Sequence, residues 1–276
     1  MSSSDILKRT FQADNTPSGM EFFDMLTRGA IGNLINRYRA VLKKCRLMNT
    51  FGSHAVAVML TGGAASASPA ADMGSVVNAD VTISQDTTIT ADKTTEAGNR
   101  YAGIIADSGD MTVTVEDGAT LTVNAPDNAS AYSFYGATAQ TGGSLTVNGD
   151  ADFNIKAQDD GQHSRALRAN GGDMTLNGNI HAVAETTSGT AVGAEVWSGA
   201  DMTFNGEETI LEAVSTGGRV IGVQNFHQSG DMSTMNFNAD RTVISVRNDA
   251  QSEEFTQGVL AYQSTTNFTG NTEITV

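Results

Sequence analysis

Cysteine, proline and aromatic residues are all scarce: one Cys, three Pro and an aromatic share of 6% in 276 residues. The lone Cys45 excludes a disulfide framework and a cysteine metal centre. It does not argue against export, because a long chain threaded through a narrow pore is better without crosslinks. So few aromatics are poor material for a globular core built around large side chains, and abundant Gly with recurrent Thr, Asn, Asp and Ser suits many short strands and turns. After residue 75 there is no heptad pattern and no apolar run of membrane-spanning length. Gly-x-Ser-x-Gly nucleophile motifs are missing, as is the calcium-binding pattern Gly-Gly-x-Gly-x-Asp.

Positive charge is scarce too, and what there is lies at one end. Residues 1–67 carry eight Lys and Arg (Lys8, Arg9, Arg28, Arg37, Arg39, Lys43, Lys44, Arg46) against four acids. The remainder keeps eight basic and twenty-seven acidic residues, a net of −19. Such a surface repels phosphates and anionic lipid, which excludes nucleic acid as a partner.

The basic end has the order of a secretory signal. A cluster over 36–47 is followed by an apolar segment over 55–63 that opens Ala55-Val-Ala-Val-Met-Leu60, then by the small-residue run ending Ala65-Ser-Ala67. Cleavage is expected between Ala67 and Ser68. The apolar segment is too short for a permanent span, so residues 1–67 read as a helical or disordered leader and 68–75 as a linker. Met20 or Met25 is an alternative start.

The body, 76–276, repeats. One signature is an apolar alternation ending in a turn: Leu145-Thr-Val-Asn-Gly-Asp150, Met174-Thr-Leu-Asn-Gly-Asn179, Met202-Thr-Phe-Asn-Gly-Glu207, Met235-Asn-Phe-Asn-Ala-Asp240 and Asn267-Phe-Thr-Gly-Asn271. Aligning Val147, Leu176, Phe204, Phe237 and Phe268 gives spacings of 29, 28, 33 and 31 residues. A second alternation follows each turn, as in Phe153-Asn-Ile-Lys-Ala157. A third strand carries a central small residue, as in Tyr101-Ala-Gly-Ile-Ile105, Arg165-Ala-Leu-Arg-Ala169 and Val220-Ile-Gly-Val-Gln224, and leads through Ser108-Gly-Asp-Met111 or its equivalents, Ser229-Gly-Asp-Met232 among them, into the next unit.

Three strands of period two per unit of roughly thirty residues predict an all-β fold in which each turn of chain buries its apolar face on its neighbour. The expected architecture is a right-handed parallel β-helix of about six three-strand coils, about 30 Å long at ~4.8 Å per coil. A β-sandwich is the rival, but it does not predict a recurring three-strand unit.

These units resemble the passenger domains of bacterial autotransporters, whose Ala-x-Gly-Ile-like strands alternate with Gly-x-hydrophobic-Thr-hydrophobic-x-Gly strands. The likeness covers roughly residues 76–276, and the long basic leader is similar to that family's extended signal peptides, although Ile35-Asn-Arg-Tyr-Arg-Ala-Val-Leu42 lacks their tryptophan. The resemblance implies export through the inner membrane, a cell-surface or extracellular location, and an outer-membrane translocator barrel beyond Val276.

The column Asp150, Asn179, Glu207, Asp240 and Asn271 is the one place where carboxylates and amides would stack. It could offer oxygen ligands to Ca²⁺, but it reads first as turn chemistry, with Asn-Gly supplying positive φ. His163, His181 and His227 have no metal-binding spacing. The acidic pairs Asp159-Asp160, Glu207-Glu208 and Glu253-Glu254 lie in turns or loops, where adjacent residues diverge. No catalytic residue, cofactor or metal is assigned. The expected role is binding, as an adhesin or self-associating rod with a host or bacterial surface ligand, and the irregular loops 124–131, 157–164 and 247–255 are its expected contact points. The alternatives are a polysaccharide lyase or hydrolase, which would gather acids with Arg168 or Arg219 in one groove, and a structural spacer.

Overall fold

A computed structural model describes residues 71–94, 100–125, 133–157, 162–227, 231–249 and 255–276. The chain divides into two units, Met1–Ser68 and Pro69–Val276. The signal segments and the Ala67–Ser68 bond lie outside the described residues.

All regular structure among the described residues is β, arranged in three sheets. The first sheet holds Val81–Ile83, Asp110–Val115, Ser144–Asn148, Asp173–Leu176, Asp201–Phe204, Thr234–Phe237 and Thr265–Phe268. Ala71–Met73, Thr87–Thr90, Leu121–Asn124, Ala151–Ala157, Ile180–Thr186, Glu208–Ser215, Arg241–Asn248 and Asn271–Thr275 form the second. The third contains Val76–Val77, Arg100–Asp107, Ser133–Gln140, His163–Asn170, Thr190–Trp197, Arg219–Phe226 and Thr256–Tyr262. The chain visits them in rotation and every strand pairs in parallel with its equivalent one coil away, giving six complete coils and a partial one at each end. The short strand Lys93–Thr94, antiparallel to Arg100–Asp107, departs from this scheme. Ala71–Met73, within the segment expected to be a linker, pairs with Thr87–Ile89 and so belongs to the solenoid.

Register follows the periodicity. Val81, Val113, Val147, Leu176, Phe204, Phe237 and Phe268 form one continuous column. The last three phenylalanines stack with centroids 4.7 Å apart and planes within 5°, which is the coil spacing itself. In the long coil between Phe204 and Phe237, Met235 takes the buried column position and Met232 is 60% exposed. Met232 is therefore outside the column that Met111, Met174 and Met202 share with Met235.

Polar columns hold the coils together at the surface. Asn177 Nδ2 donates to Asn148 Oδ1, Asn205 to Asn177 and Asn238 to Asn205, at 2.9, 2.9 and 3.0 Å. At the start of the first sheet, Asp173 and Asp201 accept from the backbone N–H of Asp201 and Thr234, one coil on, at 2.8 and 3.1 Å. Each of these bonds is available only when the coil register is kept.

Where the third sheet turns inward, size is matched across the core. Gly103, Gly136, Ala166, Gly193, Gly222 and Gly258 occupy one column. An added Cβ would lie 2.4 Å from Val123 at Gly103, 2.3 Å from Ile244 at Gly222 and 2.4 Å from Ile274 at Gly258. The facing column of the second sheet reads Val123, Phe153, Ala182, Leu211, Ile244 and Ile274. Ala166 stands in the one coil whose facing residue is the small Ala182, so volume is conserved across the pair.

Candidate functional site

The inward bend at the small-residue column reverses the usual alternation. In Arg100–Asp107, Gly103, Ile104 and Ala106 point to the core, while Ala102 and Ile105 belong to a separate cluster on the outer side with Tyr135. By register, two outward columns therefore run along the third sheet. One holds Ala102, Tyr135, Arg165, Val192, Ile221 and Gln257; the other holds Ile105, Thr138, Arg168, Glu195, Gln224 and Leu260.

Most of these outward residues are buried, including Tyr135, Thr138, Arg168, Glu195 and Gln224. Arg165 Nε donates to Glu195 Oε1 at 2.9 Å and Arg168 Nε to Oε2 at 2.6 Å, so one carboxylate is held by two guanidiniums. Arg168 Nη1 donates to the Tyr135 hydroxyl at 3.2 Å. Both guanidinium carbons also lie over the Tyr135 ring, at 5.9 and 5.1 Å from its centroid, within cation–π range. Burial pushes the Glu195 carboxyl up; the charges of Arg165 and Arg168 and their hydrogen bonds outweigh it and hold the pKa below its ordinary value. Burial, then the charge of Arg165, lowers His163. Its Nδ1 accepts the Thr190 backbone N–H at 2.7 Å, which fits a neutral ring.

This face differs in charge from the other two. The strands of the third sheet carry Arg100, Arg165, Arg168 and Arg219 against Asp107 and Glu195, a net of +2 with His163 neutral, whereas those of the first and second sheets each sum to −3. Further along the same outer face, Trp197, Phe226 and Tyr262 stack at 4.5 and 4.9 Å. Trp197 lies two residues beyond Glu195, about 6.6 Å along the strand, so the cationic cluster and the aromatic stack form one strip.

The residues singled out from the sequence fall elsewhere, with one exception. Asp150, Asn179 and Asn271 share a column at the start of the second sheet, but Glu208 and Arg241 occupy its other places. The turns leading to Glu208 and Arg241 are one residue longer, which displaces Glu207 and Asp240. Asp150 Oδ1 accepts from the Asn179 backbone N–H and Asn179 Oδ1 from that of Glu208, both at 2.9 Å, so these side chains cap the following coil. Arg241 pairs with Glu208. Gly149 has the expected positive φ of 94°. Gly178 and Gly206 do not; they are glycine because a Cβ would lie 1.9 and 2.0 Å from the carbonyl oxygen of the turn beneath.

Among the described residues no three metal-ligating side chains converge, and no helix is long and apolar enough to cross a membrane. His181 lies on the second sheet, 3.3 Å from Glu212, and His227 Nδ1 is 3.0 Å from the Asp231 carbonyl, so the three histidines do not meet. Asp159-Asp160, Glu253-Glu254 and most of the three loops named as contact points lie outside the described residues.

Arg168 is the exception, since it joins the cluster. Arg219 is on the same face but stands over Phe255, bonded to Gln257 at 3.4 Å. Tyr135, Arg165 and Glu195 were not singled out from the sequence. The available signal was the spacing of three in Tyr135/Thr138, Arg165/Arg168 and Val192/Glu195, which is out of phase with strict alternation.

No known protein family, curated protein or solved structure matches the chain. The class of protein is therefore given by the fold: a three-sheet parallel β-solenoid.

Proposed function

We propose that this chain is an exported, autotransporter-like passenger that acts by binding at the cell surface. The observation that carries this reading is the charge partition: one sheet of net +2, bearing four arginines and an aromatic stack, within a body of net −19. A regular face of this kind favours an extended ligand, or a second copy of the acidic body, gripped at several points.

Binding accounts for the cluster better than sugar-bond hydrolysis does. Hydrolysis needs two carboxylates about 5–9.5 Å apart with one free to give a proton. Here Glu195 is engaged by two guanidiniums and kept ionised. Export is tested by expressing the full chain in a Gram-negative host, fractionating the cells and sequencing the mature N-terminus. The expected product begins at Ser68 and leaves the cytoplasm; an unprocessed cytoplasmic chain would overturn the reading.

A further inference from the structure

We infer that the outer face of the second sheet is a self-association surface, on which two copies of this chain pack face to face about a twofold axis between Glu208–Ser215 and Arg241–Asn248. This face is separate from the third sheet, so the inference goes beyond the binding reading above, and its failure would leave that reading standing.

The outward positions show where the surface lies. On the first sheet, those from Thr82 to Asn267 are all Thr, Ser, Asn or Asp. The second sheet keeps to polar residues as far as Lys156, then places Val183, Ile210, Val214 and Val243 outward on three successive strands. Threonine suits an exposed pleated face as well as valine does, so strand propensity does not account for apolar groups confined to three coils. Register brings them together, since Ile210 pairs with Val243 while Val183 and Val214 lie beside Glu212 and Glu185. The face is open: the side chains of His181, Glu208, Glu212 and Arg241 are 41–50% exposed.

Charge then selects the partner and the arrangement. Packed sheets keep their strands within about 30° of one another, and in an isologous contact each copy presents the same patch. A twofold axis along the strands, midway between Glu208–Ser215 and Arg241–Asn248, sets each residue opposite its equivalent across that midline. Glu208 then faces Arg241 of the second copy, Ile210 faces Val243, Glu212 faces Ser245 and His181 faces Glu273, each twice by symmetry. No like charges come directly opposite. Moving the axis onto Glu208–Ser215 would set Glu208 and Glu212 against themselves, and turning it along the solenoid would set Arg241 against Arg247. Such like-charge contacts reject both alternatives. Four strands at ~4.8 Å and eight residues at ~3.3 Å make a face of roughly 500 Å² per copy, below the ~800 Å² of a standard interface. The dimer is therefore weak in solution, and copies arrayed on one surface gain from repetition.

Sedimentation velocity of the full chain tests this, in reducing buffer so that Cys45 forms no crosslink. The expected result is a monomer–dimer equilibrium that shifts towards monomer as salt is raised. Glu208→Arg and Arg241→Glu should each abolish the dimer, and an equimolar mixture of the two should restore it, because an acid again faces a base at both symmetry-related contacts. Within each variant chain the Glu208–Arg241 pair stays broken, so a merely structural role cannot produce this rescue. Ile210→Thr with Val243→Thr leaves the ion pairs in place and should weaken the dimer about tenfold. Only monomer at ~1 mM, open-ended growth beyond the dimer, a dimer indifferent to the threonine pair, or a mixture of folded charge variants that stays monomeric would each overturn the proposal. If the charge variants lose their β-sheet circular dichroism, the threonine pair decides.

Discussion

Thr141 has φ of 56°, in the left-handed region that a β-branched residue rarely adopts. It belongs to a column of residues that follow the third sheet, Asn78, Ser108, Thr141, Gly171, Ser198 and Gln263, all with positive φ between 49° and 68°. Of these, only Gly171 is the residue type that enters this region without cost. Thr141→Asn, which tolerates the conformation without the freedom of glycine, is expected to stabilise the full chain by about 0.5–1 kcal/mol in denaturant unfolding. Glu195 works in the opposite sense. Glu195→Gln leaves two guanidiniums without their counter-charge and should destabilise by about 3 kcal/mol. Because its pKa is depressed in the fold, the stability that Glu195 contributes is present above the ordinary glutamate value and is lost as pH falls below ~4. His163 is lowered as well, so its contribution is present above its ordinary value and lost as pH falls below ~6.5. Melting temperature followed from pH 7 to pH 3 should therefore fall in two stages, and Glu195→Gln should flatten the second. An unchanged acid limb in the variant would contradict the assignment.

At the level of strands, alternation and spacing made the core legible. The column from Val147 to Phe268 is read directly from residues at every second position, because a one-residue slip would turn each apolar side chain to the wrong face. Turns were harder. Phe204 and Phe237 are each followed by one more residue before the second sheet than Val147 and Leu176 are, and sequence alignment through the strands cannot say where an extra turn residue goes. That is why Glu207 and Asp240 left their column. The outer cluster was hidden for another reason: it lies across three coils, and the inward bend that sets Arg165 and Arg168 on one side depends on packing against the second sheet. The bend itself makes a prediction. Ala182→Leu should clash with Ala166 and cost about 1–3 kcal/mol. Adding Ala166→Gly recreates the pairing of Gly193 with Leu211 and should restore most of the loss. Additive effects of the two changes would argue against contact between these columns.

For the molecule as a whole, the coils act as one stack in which every outward column is a line of neighbouring side chains. Residues about thirty apart in sequence thus become a continuous surface, and the charge partition among the three sheets becomes a property of faces. The binding reading and the polar columns both depend on this superposition. Spin-label distances in the full chain test it most directly, with Cys45→Ser to free the background and labels introduced in pairs from Thr112 along its column of Thr146, Thr175, Thr203, Asn236 and Asn267. At ~4.8 Å per coil, the Thr112–Asn236 pair should lie about 19 Å apart and the Thr112–Asn267 pair about 24 Å, a single step longer. Distances that fail to grow by one step per coil, or that alternate as antiparallel hairpins require, would contradict the stacked solenoid.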